Sequence, residues 1–134
     1  MKLITRTLPA TTLATAVIAA GLFAAAGPAS ASHGGGQRVI SSGDCSQRGT
    51  YKLKAKPDDA SIEVEYEVDT NRVGQTFSVR LTDNGNVIAK RSVTTHGVSG
   101  SFSISKLTDN LAGTDTIRAR AVHGDNVCRG VVRL

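Results

Sequence analysis

The sequence predicts an all-β fold, an antiparallel two-sheet sandwich of immunoglobulin-like architecture with about seven strands. From about residue 44 onward, turn residues interrupt the chain every 8–12 residues. After residue 31 the chain has 17 Val and Ile residues against five Leu and six Ala, a bias that is typical of strands. Within the segments between turns, apolar and polar residues alternate with period two. A small Greek-key barrel is the alternative architecture.

The first 31 residues have the pattern of a secretory signal peptide. Lys2 and Arg6 form a basic start, an apolar run follows at 13–26, and Ala29-Ser30-Ala31 has the small-x-small pattern of a cleavage site. The apolar run has 14 residues, whereas a spanning helix needs about 20. We therefore expect cleavage after Ala31 by the general secretory route. The product is expected to be secreted, extracellular and not inserted into a membrane.

The remainder divides into a leader and one domain. Residues 32–43 are dominated by Gly and Ser, which predicts a flexible leader. The domain is expected to cover 44–134. Cys45 and Cys128 are the two cysteines of the chain, and an even number in an exported protein predicts one disulfide. This bond would tie the start of the folded domain to its last strand.

The clearest strand pair covers 51–56 and 61–68. Lysines alternate with apolar residues in the first strand, and glutamates alternate with them in the second. A four-residue loop at 57–60 would place Lys54 opposite Glu63 on the outer face. We interpret this lysine–glutamate ladder as a solvated face that holds the register of the two strands. The inward side chains are expected to be Tyr51, Leu53, Ala55, Ile62, Val64, Tyr66 and Val68.

Short strands and turns continue to the end of the chain. Asn84-Gly85 predicts a hairpin, because both residues adopt positive φ at low cost. A two-residue turn there would pair Leu81 with Ile88, and a bulged turn would pair it with Val87. Residues 107–113 are compatible with one helical turn. Further strands are expected at 77–81, 87–94, 101–105, 117–122 and 127–133.

Several stretches together resemble an uncharacterised family of small secreted actinobacterial proteins of Streptomyces type with a single disulfide. The resemblance covers about 45–130, and it implies an exported, compact protein without implying an activity. Members of that family often have Trp where this chain has Phe77, so an aromatic sugar platform is not expected there. The similar stretches are 51–59, 62–65, 68–69, 74–77, 83–85, 99–102 and 127–130.

A basic face is the first candidate site. Outside the predicted signal peptide the chain has 14 basic and 11 acidic residues, a net charge of +3. Arg118 and Arg120 alternate along one predicted strand and so share a face, with Arg80 expected nearby and Arg129 and Arg133 extending the patch. No aromatic residues interleave with these arginines, so nucleic acid is not expected as a partner, and an anionic cell-wall polymer and a membrane surface are equally compatible with the charge. The interpretation that the pattern favours is an ordinary solvated basic face, and a binding patch is the alternative.

The loop 94–100 is the second candidate site. It contains Thr95, His96, Val98 and Ser99, and loops held on a rigid scaffold commonly carry binding residues. Its partner would be a secreted protein. We expect a non-enzymatic protein with a binding or cell-envelope role. The alternative function is an inhibitor of a secreted hydrolase that presents this loop to the enzyme.

Catalysis and cofactor binding are not expected. The histidines are His33, His96 and His123, and a Ser–His–Asp triad would need them to converge in a pocket that a domain of this size has little room to build. A Gly-x-Ser-x-Gly elbow is missing from the sequence. The Asp and Asn clusters lack the alternating oxygen spacing of a calcium loop. A carrier for an apolar ligand would need more than the few aromatic residues present.

Overall fold

The computed structural model describes residues 36–134, and these residues form eight β-strands. Two antiparallel four-stranded sheets contain them, sheet A in the order β1-β2-β3-β6 and sheet B in the order β5-β4-β7-β8. The strands are β1 Val39–Asp44, β2 Thr50–Asp58, β3 Ser61–Asp69, β4 Thr76–Asp83, β5 Asn86–Thr94, β6 Ser101–Asp109, β7 Thr116–His123 and β8 Asn126–Arg133.

The predicted two-sheet sandwich is confirmed. The sheets are separate and do not close into the Greek-key barrel that was the alternative. Tight hairpins join β2 to β3, β4 to β5 and β7 to β8, and the chain crosses between sheets at 70–75, 95–100 and 110–115. The strand order differs from that of a constant-type immunoglobulin domain, so the molecule shares the two-sheet architecture and has its own connectivity.

The core lies between the sheets and contains the side chains that alternation predicted. Tyr66, Phe77 and Phe102 are its largest fully buried members. Phe77 of sheet B contacts Phe102 of sheet A in a tilted arrangement, with ring centroids 5.6 Å apart. The burial of Phe77 confirms that this position offers no aromatic platform at the surface. Other fully buried residues are Leu53, Ala55, Ile62, Val64, Val68, Leu81, Ile117 and Ala121.

Two bonds join the sheets near the end of β1. The predicted disulfide between Cys45 and Cys128 is present, and it links the residue after β1 to the middle of β8. Beside it, the buried hydroxyl of Tyr66 donates a hydrogen bond to the carbonyl of Cys128 at 2.9 Å. Burial, together with the neighbouring Tyr51, raises the pKa of Tyr66 well above its ordinary value. The phenol therefore stays protonated and remains a donor.

The domain begins earlier than the sequence suggested, because part of the predicted leader is a strand. β1 occupies Val39–Asp44 and pairs with β2 along its whole length. Its single glycine, Gly43, allows close packing rather than flexibility. A Cβ added at Gly43 would lie 3.3 Å from the Tyr51 ring, which is tighter than ordinary contact. The strand count is consequently eight and not seven.

The predicted register of β2 and β3 is wrong by two residues. Lys54 pairs with Glu65, not with Glu63, because the turn contains only Asp59 and Ala60. Asp59 adopts a φ of 53°, which aspartate tolerates better than most residues, and this allows the shorter turn. A shift of two residues leaves every side chain on its predicted face, so the assignment of inward and outward residues is unaffected.

The hairpin of β4 and β5 matches neither predicted register. Asn84 and Gly85 form the two-residue turn, and a β-bulge at Ile88 then pairs Leu81 with Ala89. The extra residue brings both Ile88 and Ala89 against the core. The helical turn suggested for 107–113 is also wrong, since β6 continues to Asp109 and bends follow it.

The described residues include no helix long and apolar enough to cross a membrane. The predicted signal peptide, residues 1–31, lies outside the described residues.

Candidate functional site

The predicted basic face is assembled on the outer surface of sheet B. Arg80 of β4 and Arg120 of β7 are paired directly across neighbouring strands, and Arg118 lies two residues before Arg120 on β7. All three side chains are exposed. The alternation of these strands produces the arrangement, because Val79, Leu81 and Ala119 point into the core and force their neighbours outward.

The face includes a row of four cations that crosses the whole sheet. Lys90 pairs with Arg80, Arg80 with Arg120, and Arg120 with Arg129. One cation therefore comes from each strand in the order β5, β4, β7 and β8. Neighbouring strands lie about 4.8 Å apart, so the row spans about 14 Å. We call these four residues the cation row.

No carboxylate balances the cation row on its own sheet. The four strands of sheet B contain one acidic residue, Asp83, and its side chain is buried at the end of β4. The sole ion pair among residues 36–134 lies on sheet A, where Lys54 Nζ is 3.1 Å from Glu65 Oε2. We call the outer surface of sheet B the arginine face. Its six cations are Arg80, Lys90, Arg118, Arg120, Arg129 and Arg133.

A shallow depression of about 170 Å³ lies within the arginine face. Arg80, Arg118, Arg120 and Thr82 surround it, and Ala119 contributes to its floor. Thr82 pairs with Arg118 just as Arg80 pairs with Arg120. The four residues are therefore two consecutive outward cross-strand pairs of β4 and β7, and the depression lies between them. Three arginine side chains and one threonine therefore border a space large enough for a single anionic group, and carbon atoms form most of its lining.

The arginine face has no aromatic side chain among its outward residues. Phe77 points into the core, and its neighbours on the outer surface are Thr76 and Ser78. The uncharged outward residues of β4 and β7 are Ser, Thr and Val. A ligand at this face is consequently held by charge and hydrogen bonds rather than by ring stacking.

The predicted binding loop is a rigid turn whose residues have different roles. Thr95 is buried, and its hydroxyl donates to the Arg72 carbonyl at 2.6 Å while accepting from the Gln75 N–H at 2.9 Å. Its side chain is thus structural and unavailable to a partner. His96 forms a two-way backbone pair with Ser101, which closes the turn.

The tip of this loop is held tightly against the loop at 70–75. Gly100 has a φ of 65°, and a Cβ there would collide with the backbone of Arg72. Buried Thr70 contacts the same place, because its N–H and hydroxyl each lie 3.1 Å from the Gly100 carbonyl. Val98 and Ser99 project beyond this junction, and Val98 is fully exposed.

A larger depression of the described surface lies elsewhere and is acidic. It measures about 480 Å³ on sheet A beside the disulfide, and Asp44, Glu67 and Asp69 line it with Lys52 and Tyr51. Its carboxylates form no arrangement of three groups suited to a metal ion within residues 36–134. Size alone does not favour it over the arginine face, where charges of one sign converge.

Sequence reasoning found five of the six cations and missed Lys90. The side chain of Lys90 faces outward only because the bulge at Ile88 changes the alternation of β5. Neither predicted register placed it opposite Arg80, and the residues around it provide no separate signal.

Comparisons with protein-family models, with curated proteins and with solved structures find no match to this chain.

Proposed function

We propose that this protein is an exported, non-enzymatic binding protein whose arginine face holds an anionic polymer of the cell envelope. The observation that supports the proposal best is the cation row, which has four like charges in register and no carboxylate on the same surface. A flexible polyanion with closely spaced charges is the ligand that such a row neutralises. Release of counterions from that polymer provides the driving force.

The compartment is inferred from the disulfide and from the predicted signal peptide. A bond between Cys45 and Cys128 persists in an oxidising environment and is rare in the cytosol. A charged flat surface on a cross-linked sandwich suits a protein that acts outside the cell, where envelope polymers are abundant.

Sedimentation with purified Gram-positive cell walls tests the proposal. The protein is residues 32–134, which contain every described strand and the whole core. The variant Arg80→Gln/Arg118→Gln/Arg120→Gln removes three charges from the arginine face. The control variant Lys52→Gln/Lys54→Gln/Lys56→Gln removes three charges from sheet A, so both have the same net charge.

We expect the arginine variant to bind walls at least about 30-fold more weakly, since three exposed charge contacts contribute roughly 0.7 kcal/mol each. The lysine variant is expected to lose less than about threefold. Walls stripped of their anionic polymer should retain none of the three proteins. Equal losses in the two variants would show that only net charge matters, and the proposal would then be wrong.

A second candidate function, inhibition of a secreted hydrolase, is favoured by the loop at 94–100. Its backbone is closed by the His96–Ser101 pair and braced by Arg72, and Val98 projects from it without any contact that would bury it. Rigid loops of this kind bind enzyme clefts with little loss of conformational entropy. Titration of a bacterial serine protease would be expected to show inhibition that Val98→Asp abolishes. Cleavage of the loop without inhibition would exclude this candidate.

A further inference from the structure

We infer that the depression between Arg80, Arg118, Arg120 and Thr82 seats a phosphate group, and that the polymer bound by this protein is a phosphate-bearing chain lying along the cation row. This inference rests on the proposed function and specifies its ligand. The residues around the depression of about 170 Å³ indicate the chemistry of the group that binds there. The row determines the direction of the chain.

The donors around the depression favour a tetrahedral anion over a planar one. Arg80 and Arg120 are paired on the neighbouring strands β4 and β7. Thr82 and Arg118 form the next outward pair of the same two strands and border the same depression. Outward residues on one strand lie about 7 Å apart, and paired residues on neighbouring strands about 5 Å apart. All four side chains project from the same face of the sheet, so three guanidinium groups and one hydroxyl are within reach of a single bound group. A phosphate accepts hydrogen bonds in three dimensions, while a carboxylate offers two oxygens in one plane.

The row extends beyond the depression on both sides, which favours a chain over a single ion. Lys90 lies one strand beyond Arg80, and Arg129 lies one strand beyond Arg120. A lone phosphate in the depression would leave these outer charges unneutralised. A chain that runs perpendicular to the strands would meet all four cations within about 14 Å. A chain that runs along one strand would meet at most two of the face's cations, Arg118 and Arg120 on β7 or Arg129 and Arg133 on β8.

The surroundings of the row also provide no aromatic side chain on which a base could stack. The outward neighbours of the cations on β4 are Ser78 and Thr82, and on β7 they are Thr116 and Val122. A chain bearing flat bases gains much of its affinity from aromatic partners, which this face does not supply. The ligand chemistry is accordingly a phosphate backbone without stacking rings.

Binding of two labelled polymers tests the inference. The probes are inorganic polyphosphate long enough to span the row and poly-γ-glutamate of equal charge, each titrated into residues 32–134 and followed by fluorescence anisotropy. The first variant, Ser78→Arg/Arg80→Ser, moves one arginine a single step along β4. It keeps the composition and the six charges of the face but breaks the row. The second variant, Thr82→Val, removes one hydroxyl without changing any charge.

We expect polyphosphate to bind the unaltered protein about tenfold more tightly than polyglutamate, since the third guanidinium and the hydroxyl reach only a tetrahedral group. The exchanged-arginine variant should lose about tenfold for polyphosphate and less than twofold for polyglutamate. Thr82→Val should lose about threefold for polyphosphate alone. Circular dichroism confirms that both variants are folded.

Three results would overturn the inference, and they are distinguishable from one another. Equal affinity for the two polymers would show that the depression does not select phosphate. An exchanged-arginine variant that binds polyphosphate as well as the unaltered protein would show that the face acts as diffuse charge, and the proposed function would stand. Failure of both polymers to bind the unaltered protein would overturn the proposed function as well.

Discussion

The two outer faces of the sandwich are built in the same way and carry charge in opposite arrangements. On sheet A, each lysine of β2 stands opposite a glutamate of β3: Lys52 with Glu67, Lys54 with Glu65 and Lys56 with Glu63. On sheet B, each cation of the row stands opposite another cation. Both sheets are antiparallel, and in both the outward residues alternate along each strand with buried apolar residues. The difference therefore lies in the choice of outward residues alone.

That difference separates a face that supports folding from a face that opposes it. Opposite charges directly across a strand pair contribute roughly 0.2–1 kcal/mol each, and like charges cost a similar amount. The ladder of sheet A also penalises alternative registers that would bury its charges. The row of sheet B has no such benefit for the free protein. An anionic ligand would remove this repulsion. On sheet B, therefore, the same charges that serve binding lower the stability of the free protein.

The largest expected effect comes from releasing the two sheets from one another. Cys45→Ala/Cys128→Ala removes the link that closes a separation of 83 residues. The free energy of unfolding should fall by about 4 kcal/mol, because the unfolded chain gains conformational freedom. Urea denaturation measures this loss. Polymer binding at 25 °C should be unchanged, since backbone pairing within sheet B forms the cation row. A loss below about 1 kcal/mol would show that the core alone holds the faces together.

Reversing one charge on each face should change stability in opposite directions. Arg120→Glu places a carboxylate between Arg80 and Arg129 and should raise the free energy of unfolding by about 1 kcal/mol. Glu65→Lys breaks the ion pair with Lys54 and should lower it by about as much. Urea at low salt is the appropriate denaturant because it adds no ions.

High salt provides the control for this pair of variants. At 1 M salt the Debye length is about 3 Å, and both differences should shrink toward zero. Polymer binding should be lost in Arg120→Glu and retained in Glu65→Lys. If Arg120→Glu destabilises the protein at low salt, the cation row is not a source of repulsion and the comparison of the two faces fails.

The smallest expected effect concerns a second group of like charges, at the end of the sandwich. Burial, together with Asp115 and Asp109, raises the pKa of Asp83, although its hydrogen bond from Thr108 acts in the opposite direction. Because the pKa of Asp83 is raised in the folded state, the contribution of this group to stability is greatest below its unfolded pKa of about 3.9. That contribution falls as the pH rises through the folded pKa.

Asp83→Asn removes this dependence and keeps an acceptor for Thr108. We expect the variant to be more stable than the unaltered protein at pH 7, by about 0.5 kcal/mol or less, and equally stable at pH 3. Thermal unfolding across this range of pH measures the difference. A gain that persists unchanged at pH 3 would show that ionisation of Asp83 is not its cause.

Local patterns were sufficient to predict the fold class and the contents of the core. Alternation assigned Leu53, Ile62, Val64 and Tyr66 to the interior, and all four are buried. It also assigned Arg118 and Arg120 to one outer face, which the structure confirms. These predictions succeed because the direction of a side chain on a strand depends only on parity.

Predictions that depended on details of turns were less accurate. The tight turn at Asp59 shifted the β2–β3 register by two residues, and the bulge at Ile88 turned Lys90 outward. Both changes arise where a turn shorter by two residues, or a bulge with one extra residue, costs little locally. Packing of the apolar residues against the opposite sheet then selects among them. The strand at Val39–Asp44 was missed for a similar reason, since its Gly and Ser residues form an edge only when β2 is present.

The sequence by itself determined which residues of each strand face water, the pairing of the only two cysteines in the chain, and the excess of positive charge. The tertiary structure decided which strands are neighbours. Parity places Arg80 and Arg120 on outer faces, but only the pairing of β4 with β7 sets them directly opposite each other. The cation row is therefore a property of sheet order, because charges from four separate strands form a line only after long-range pairing brings those strands together.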